Sequence, residues 1–335
     1  MHYTYLDLYR YFAALIVCVS HFFFFKTGSI HSEFLSILGV ELFFVLSGFV
    51  LTPQLLNIQL NPIKNLKIFL FRRWIRTIPP YLVALLIASV IFGYGDIINL
   101  LKFLTYTQNF YSDNPVPNFY SIAWSLSVEE WFYLIMPILL FIGTKIRINK
   151  SEFTLSQICL LIILILNVAR IYFNNIDIDW GQDIRRSVIF RIDSICFGVL
   201  AFIFKDKISR PILNFFIIFG FFLLSYLIFN PIILNKYIFY QNIFFILCGL
   251  CFSSIIIKLT FYSNKNIILQ KFVKLGAGIS YSMYLFHILL IPFAMKLSNN
   301  ILFSFLFYIC ALKIISTLFY FYFEKPILKI RPKYY

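Results

Sequence analysis

Runs of about 16 to 23 apolar residues, interrupted by charged and turn residues, recur along the whole chain and predict ten helices. They fall at about 6–25, 35–56, 77–92, 124–142, 156–173, 188–204, 212–229, 237–257, 278–295 and 301–323. Each is near the length that crosses the hydrocarbon core of a bilayer. The connections are short, with no internal repeat and no low-complexity tail. The expected architecture is therefore one all-α polytopic membrane domain over 1–335, with no soluble domain appended. The first run is not a cleavable signal peptide, because it carries Arg10 and His21 and lacks a small-x-small cleavage site.

Composition supports the pattern. Hydrophobic residues make up 61% of the 335 and charged residues 13%, against about 45–50% and about 25% in soluble domains. A soluble enzyme, a nucleic-acid-binding module and a disulfide scaffold are excluded. The 43 Phe belong on lipid-facing surfaces, and the 22 Tyr and 4 Trp at their boundaries. All six cysteines lie in apolar runs and read as packing residues. Cys248 and Cys251 have CxxC spacing, but within a predicted span and without companion ligands, so no metal site is expected.

A net charge of +15 invites an anionic partner, yet its distribution explains it otherwise. The segments 57–76, 143–155, 205–211, 258–277 and the tail after 324 hold 19 of the 29 Lys and Arg. The alternate loops hold six, and Arg10, Arg170, Arg191 and Lys313 lie within spans. By the positive-inside rule the basic loops and both termini are expected in the cytoplasm, the chain lying in the cytoplasmic (inner) membrane.

Charges at membrane depth are costly and each needs a reason. Arg10 and His21 are eleven residues apart, about three helical turns, and share one face of the first span. Glu129 enters the fourth span at about the depth of His21, and a carboxylate beside an imidazole would raise its basicity. Glu130 points about 100° away, towards the interface. Glu41, Arg170, Arg191 and Asp193 also fall in the outer half and suggest a polar outer cavity. Their structural alternative is a set of ion pairs, with Arg191–Asp193 the obvious one. Arg72, Arg73 and Arg76 open the third span, where guanidinium forks suit phosphates, lipid headgroups or topology anchoring. His287 lies mid-span and either lines a cavity or bonds a neighbouring helix. Ser47-Gly48 offers a nucleophile or a helix-packing surface. Residues 105–120 mix tyrosines and amides with prolines, suiting either a sugar or an aromatic belt.

The order of these blocks resembles the acyltransferase-3 family of integral membrane acyltransferases, from about Tyr5 to Pro326. Leu6 to His21 resembles the opening motif, and Gly39 to Phe49 the second block. Arg73-x-x-Arg76 is similar to the arginine pair, and Trp124-Ser125-Leu126-Ser127-Val128-Glu129 with Phe132-Tyr133 is the most specific match. Arg191-Ile192-Asp193, Ser280-Tyr281 with His287, and Glu324-Lys325-Pro326 follow in order. The opening motif usually carries glycines where Leu8 and Tyr11 stand here. The resemblance implies acyl transfer, commonly of acetyl, from cytosolic acyl-CoA to a hydroxyl of a surface glycan or lipid-linked sugar. Arg73 and Arg76, with Arg72 beside them, would hold the CoA phosphates. Arg10 would line the donor channel, and His21 with Glu129 would serve the transfer. Glu41, Arg170, Arg191, Asp193 and His287 would face the acceptor. The competing class is a transporter or flippase using the same polar cavity, since buried ionisable residues are common to both.

Overall fold

The computed structural model describes residues 3–111, 118–146, 151–174, 179–263 and 266–332. Asn114, Pro115 and Pro117 of the Tyr- and amide-rich outer segment lie outside them. Among the described residues all regular structure is helical: α1 Thr4–Thr27, α2 Ile30–Ile58, α3 Pro62–Phe92, α4 Ile97–Leu104, α5 Ala123–Ile146, α6 Ser151–Asn174, α7 Val188–Phe204, α8 Arg210–Phe229, α9 Pro231–Lys236, α10 Ile238–Thr260, α11 Ile267–Leu297, α12 Ile301–Phe319 and α13 Lys325–Leu328. Wide single turns at Trp180–Ile184 and Tyr320–Glu324 precede α7 and α13.

Nine of the ten expected spans are long and apolar enough to cross a membrane. The tenth, α7, is the shortest at 17 residues and is buried on nearly every side, Arg191 and Asp193 included. It packs against α2, α5, α6 and α10. The α2–α7 crossing is close because Gly48 and Gly198 face each other. A Cβ on Gly48 would lie 2.0 Å from the Ile195 carbonyl oxygen, and one on Gly198 1.9 Å from that of Val45. Gly48 is thus the packing residue of the Ser47-Gly48 pair.

Several helices run past the expected ends. Helix α3 begins at Pro62, not 77, with proline in its first turn, where the missing N–H costs nothing. Helices α2 and α11 span 29 and 31 residues. Charged residues end an apolar run in sequence without ending a helix. Between spans, Asp96 caps the short α4 by accepting from the Asn99 N–H at 2.7 Å.

Helix ends sort onto two faces. On one, Asn65 donates to the Asn57 carbonyl, Thr144 to Gln59, and Arg72 to the Pro332 carbonyl, while Tyr5 meets Tyr262. This is the face of the lysine- and arginine-rich connections, hereafter the basic face. On the opposite face Lys26 donates to the Ser298 carbonyl, His31 bonds the Ile228 carbonyl, and Arg185 pairs with Glu33.

Candidate active site

Helices α1, α2, α3, α5 and α11 surround a cavity whose enclosed volume is about 90 Å³. Arg10, Arg73, Arg76 and Glu129 all line it, as do Ser47, Thr77, Ser125, Tyr133, Tyr281 and Tyr284. The guanidinium of Arg10 lies within electrostatic reach of Arg73, Arg76, Glu129 and Asp7. The lining itself carries three arginines and one carboxylate, a net positive wall that suits phosphate groups. Glu129 accepts from the Tyr133 hydroxyl at 3.0 Å, and the Arg73 guanidinium lies 6.0 Å from the Tyr133 and Phe69 rings. Ser47 faces the cavity while Gly48, the next residue, packs against α7.

Arg73 and Arg76 do not sit at the start of their helix. They lie 11 and 14 residues after Pro62 in continuous α3, well inside the bundle, so they line the cavity and are not surface anchors. Arg72 departs from them. It donates to the Pro332 carbonyl, and its own carbonyl accepts from Arg331 Nε at 3.2 Å, which ties α3 to the tail. Glu130 is buried, not interfacial, and lies against Thr77 and Trp74.

The bulk at Leu8 and Tyr11 leaves Arg10 in place. Leu8 points outward, and Tyr11 packs where Gly276 on α11 has no side chain, a Cβ there falling 2.7 Å from the tyrosine ring.

His21 is not beside Glu129. Its ring meets that of His287 of α11 edge to edge, centroids 5.0 Å apart and planes within 2°, and its Nδ1 lies 2.8 Å from His287 Nε2. His287 Nδ1 lies 2.6 Å from the Tyr284 carbonyl oxygen. A carbonyl only accepts, so His287 Nδ1 carries the proton and His287 Nε2 is an acceptor. His21 Nδ1 must then donate to it, which leaves His21 Nε2 with a free lone pair. The pair stands just beyond the cavity wall, where the Tyr284 hydroxyl meets Ser125 Oγ at 2.5 Å. His287 therefore positions His21, where the resemblance implied acceptor contact.

The remaining four charges pair crosswise, not as Arg191–Asp193. Arg191 bonds Glu41, and Arg170 bonds Asp193 at 2.7 Å. All four are enclosed, their side chains no more than 1% exposed. Arg191 lies 3.5 Å over the Phe245 ring of α10 and Arg170 5.1 Å from it. They form a structural knot between α2, α6 and α7 and do not line the cavity. Three described residues of the outer Tyr- and amide-rich segment are also spent internally. Gln108 donates to Ser127, Asn109 to the Trp124 and Arg186 carbonyls, and Tyr120 to the Leu285 carbonyl.

Outside the cavity a second set of polar groups gathers on the opposite face. Arg185 is buried there, and that burial, reinforced by Arg186, lowers its guanidinium pKa to about 9 despite Glu33.

Sequence reasoning missed Ser125, Tyr284, Tyr133 and Thr77 as cavity residues. Hydroxyls are common in spans, and only their convergence on the arginines marks them.

Comparison with known proteins identifies the family. The acyltransferase domain family matches residues 3–323. An uncharacterized protein of Haemophilus influenzae is 33% identical across 37% of this chain and 58% of its own length. The peptidoglycan O-acetyltransferase OatA of Listeria monocytogenes is 30% identical across 32% of this chain and 20% of its own length. The Bacillus subtilis protein YrhL, provisionally named for the same activity, is 32% identical across 38% of this chain and 22% of its own length. The chain thus spans under three fifths of the first relative and about a fifth of the other two. No solved structure matches it significantly.

Proposed function

Because the chain belongs to the acyltransferase domain family, we propose that it is a membrane O-acyltransferase of the cell envelope. It moves an acyl group, acetyl in the simplest case, from cytosolic acyl-CoA to a hydroxyl of a surface polysaccharide or lipid-linked sugar. The observation that carries this reading is the convergence of Arg10, Arg73 and Arg76 on one cavity that Tyr284 also lines, the Tyr284 carbonyl in turn bonding the His21–His287 pair.

The basic face is the cytoplasmic one in this reading. Arg73 and Arg76 take donor phosphates, and Glu129 with Tyr133 holds the arginines apart and limits their net charge. The thioester passes between α1, α5 and α11 beside Tyr284. His21 Nε2 removes the acceptor hydroxyl's proton as its oxygen attacks the thioester carbonyl. The new C–O bond forms, the C–S bond breaks, and the departing thiolate takes the proton from His21 as free CoA. His287, anchored on the Tyr284 carbonyl, keeps His21 in the tautomer that makes Nε2 the base.

The transporter reading loses its main support. Four of the buried charges it relied on are closed ion pairs, not groups along a passage. Release of free thiol from acetyl-CoA by purified protein separates the two classes, because a flippase has no reason to cleave a thioester.

A further inference from the structure

A second pocket opens on the opposite face, with a cavity volume of about 400 Å³. That is within the range of small-molecule sites. It is lined by Glu33, Phe34 and Ile37 of α2, by Asp179 to Gln182 and Arg185 of the wide turn, and by Asn235 of α9.

Its floor is layered. The Trp180 indole lies between Phe34 and Phe245, centroids at 6.5 and 5.8 Å, both at 30°. Beneath Phe245 lies Arg191, paired with Glu41. Glu33, Ile37 and Glu41 recur every four residues on α2, so one face of that helix carries both the pocket wall and the knot under its floor. A floor held this firmly is preorganised for a ligand.

The polar groups are mixed in sign and largely balanced. Arg185 donates to Glu33 at 2.8 Å, and Arg186 lies 3.7 Å from the same carboxylate. Asp179 accepts from the Gln182 backbone N–H, and Gln182 Oε1 accepts from Arg186. Three donors remain over: Trp180 Nε1, Arg185 Nε and Arg186 Nε are buried with no hydrogen-bond partner among the described residues. A buried donor of this kind calls for an acceptor. An anion would meet two carboxylates here, and a cation would meet the arginines. A neutral ligand whose groups both donate and accept satisfies carboxylates, amides and N–H groups together, and hydroxyls do so.

We infer that this pocket binds one or two sugar units of the acceptor glycan. Arg185, which lines the pocket, lies within electrostatic reach of His21, so the pocket opens on the same side of the bundle as the proposed base. This inference rests on the transfer reading for its purpose, though not for its geometry.

The test is direct binding. Purified protein is titrated with N,N′-diacetylchitobiose and followed by tryptophan fluorescence, beside a Gln182→Ala/Asn235→Ala variant. Both side chains are exposed, and size-exclusion chromatography checks the fold. Wild type should bind saturably, and the variant at least about tenfold more weakly for the loss of two hydrogen-bonding groups. No saturable signal in wild type, equal affinity in the variant, or displacement by inorganic phosphate would each overturn the inference. Acceptor-dependent thiol release by a protein that fails to bind the disaccharide would reject the pocket and keep the transfer reading. Disaccharide binding without thiol release from acetyl-CoA would keep the pocket as a sugar site and reject the transfer reading.

Discussion

The Tyr284 carbonyl, 2.6 Å from His287 Nδ1, fixes protons on two imidazoles and thereby tells the two histidines apart. His21→Ala should reduce transfer at least about 100-fold, the span of a lost general base, with membrane insertion intact by fractionation. His287→Ala should lower kcat about tenfold or more, with acceptor KM little changed. His287→Gln should recover part of that, since an amide can donate to the Tyr284 carbonyl while accepting from His21 Nδ1. Equal losses in the two His287 variants would remove the tautomer argument. His21 was legible in sequence because an ionisable residue inside an apolar run stands out. Its partner was not, since His287 lies 266 residues away and Glu129 had an equally suitable depth.

Helix contacts decide which buried charges are structural. Arg191→Leu should cost about 3–5 kcal/mol by stranding Glu41, while the Arg191→Leu/Glu41→Leu double variant should recover a good part. Thermal unfolding in detergent gives the comparison, and a double variant no better than the single one would contradict the knot. Gly48→Ala, forced against the α7 backbone, should lower stability by about 1–3 kcal/mol or more. The spans themselves were readable because hydrophobicity and length set them. Their ends were not: α3 continues through its charged first half because Lys and Arg are good helix formers. The crosswise pairing was also hidden. Arg191 and Asp193 are two apart and leave a helix in different directions, whereas Glu41 and Arg170 come from other helices.

Across the whole molecule the charges divide the labour between the two faces. Guanidiniums reach into the bundle from the basic side, the histidine pair stands beyond them, and a sign-balanced pocket opens opposite. The order of the sequence motifs suggested this division in outline. The pocket of Trp180 and Arg185 carried no sequence signal, because loop polar residues become a site only once α2 and α9 close around them. The central claim is that the cavity arginines hold the donor for transfer. The most direct measurement is free-thiol release from acetyl-CoA, with a total-glycan extract as acceptor, by wild type and an Arg73→Ala/Arg76→Ala variant. Wild type should release thiol only with acceptor present, and the variant should show a large rise in acetyl-CoA KM. Equal release by both, or wild type that neither releases thiol nor binds acetyl-CoA, would contradict that claim.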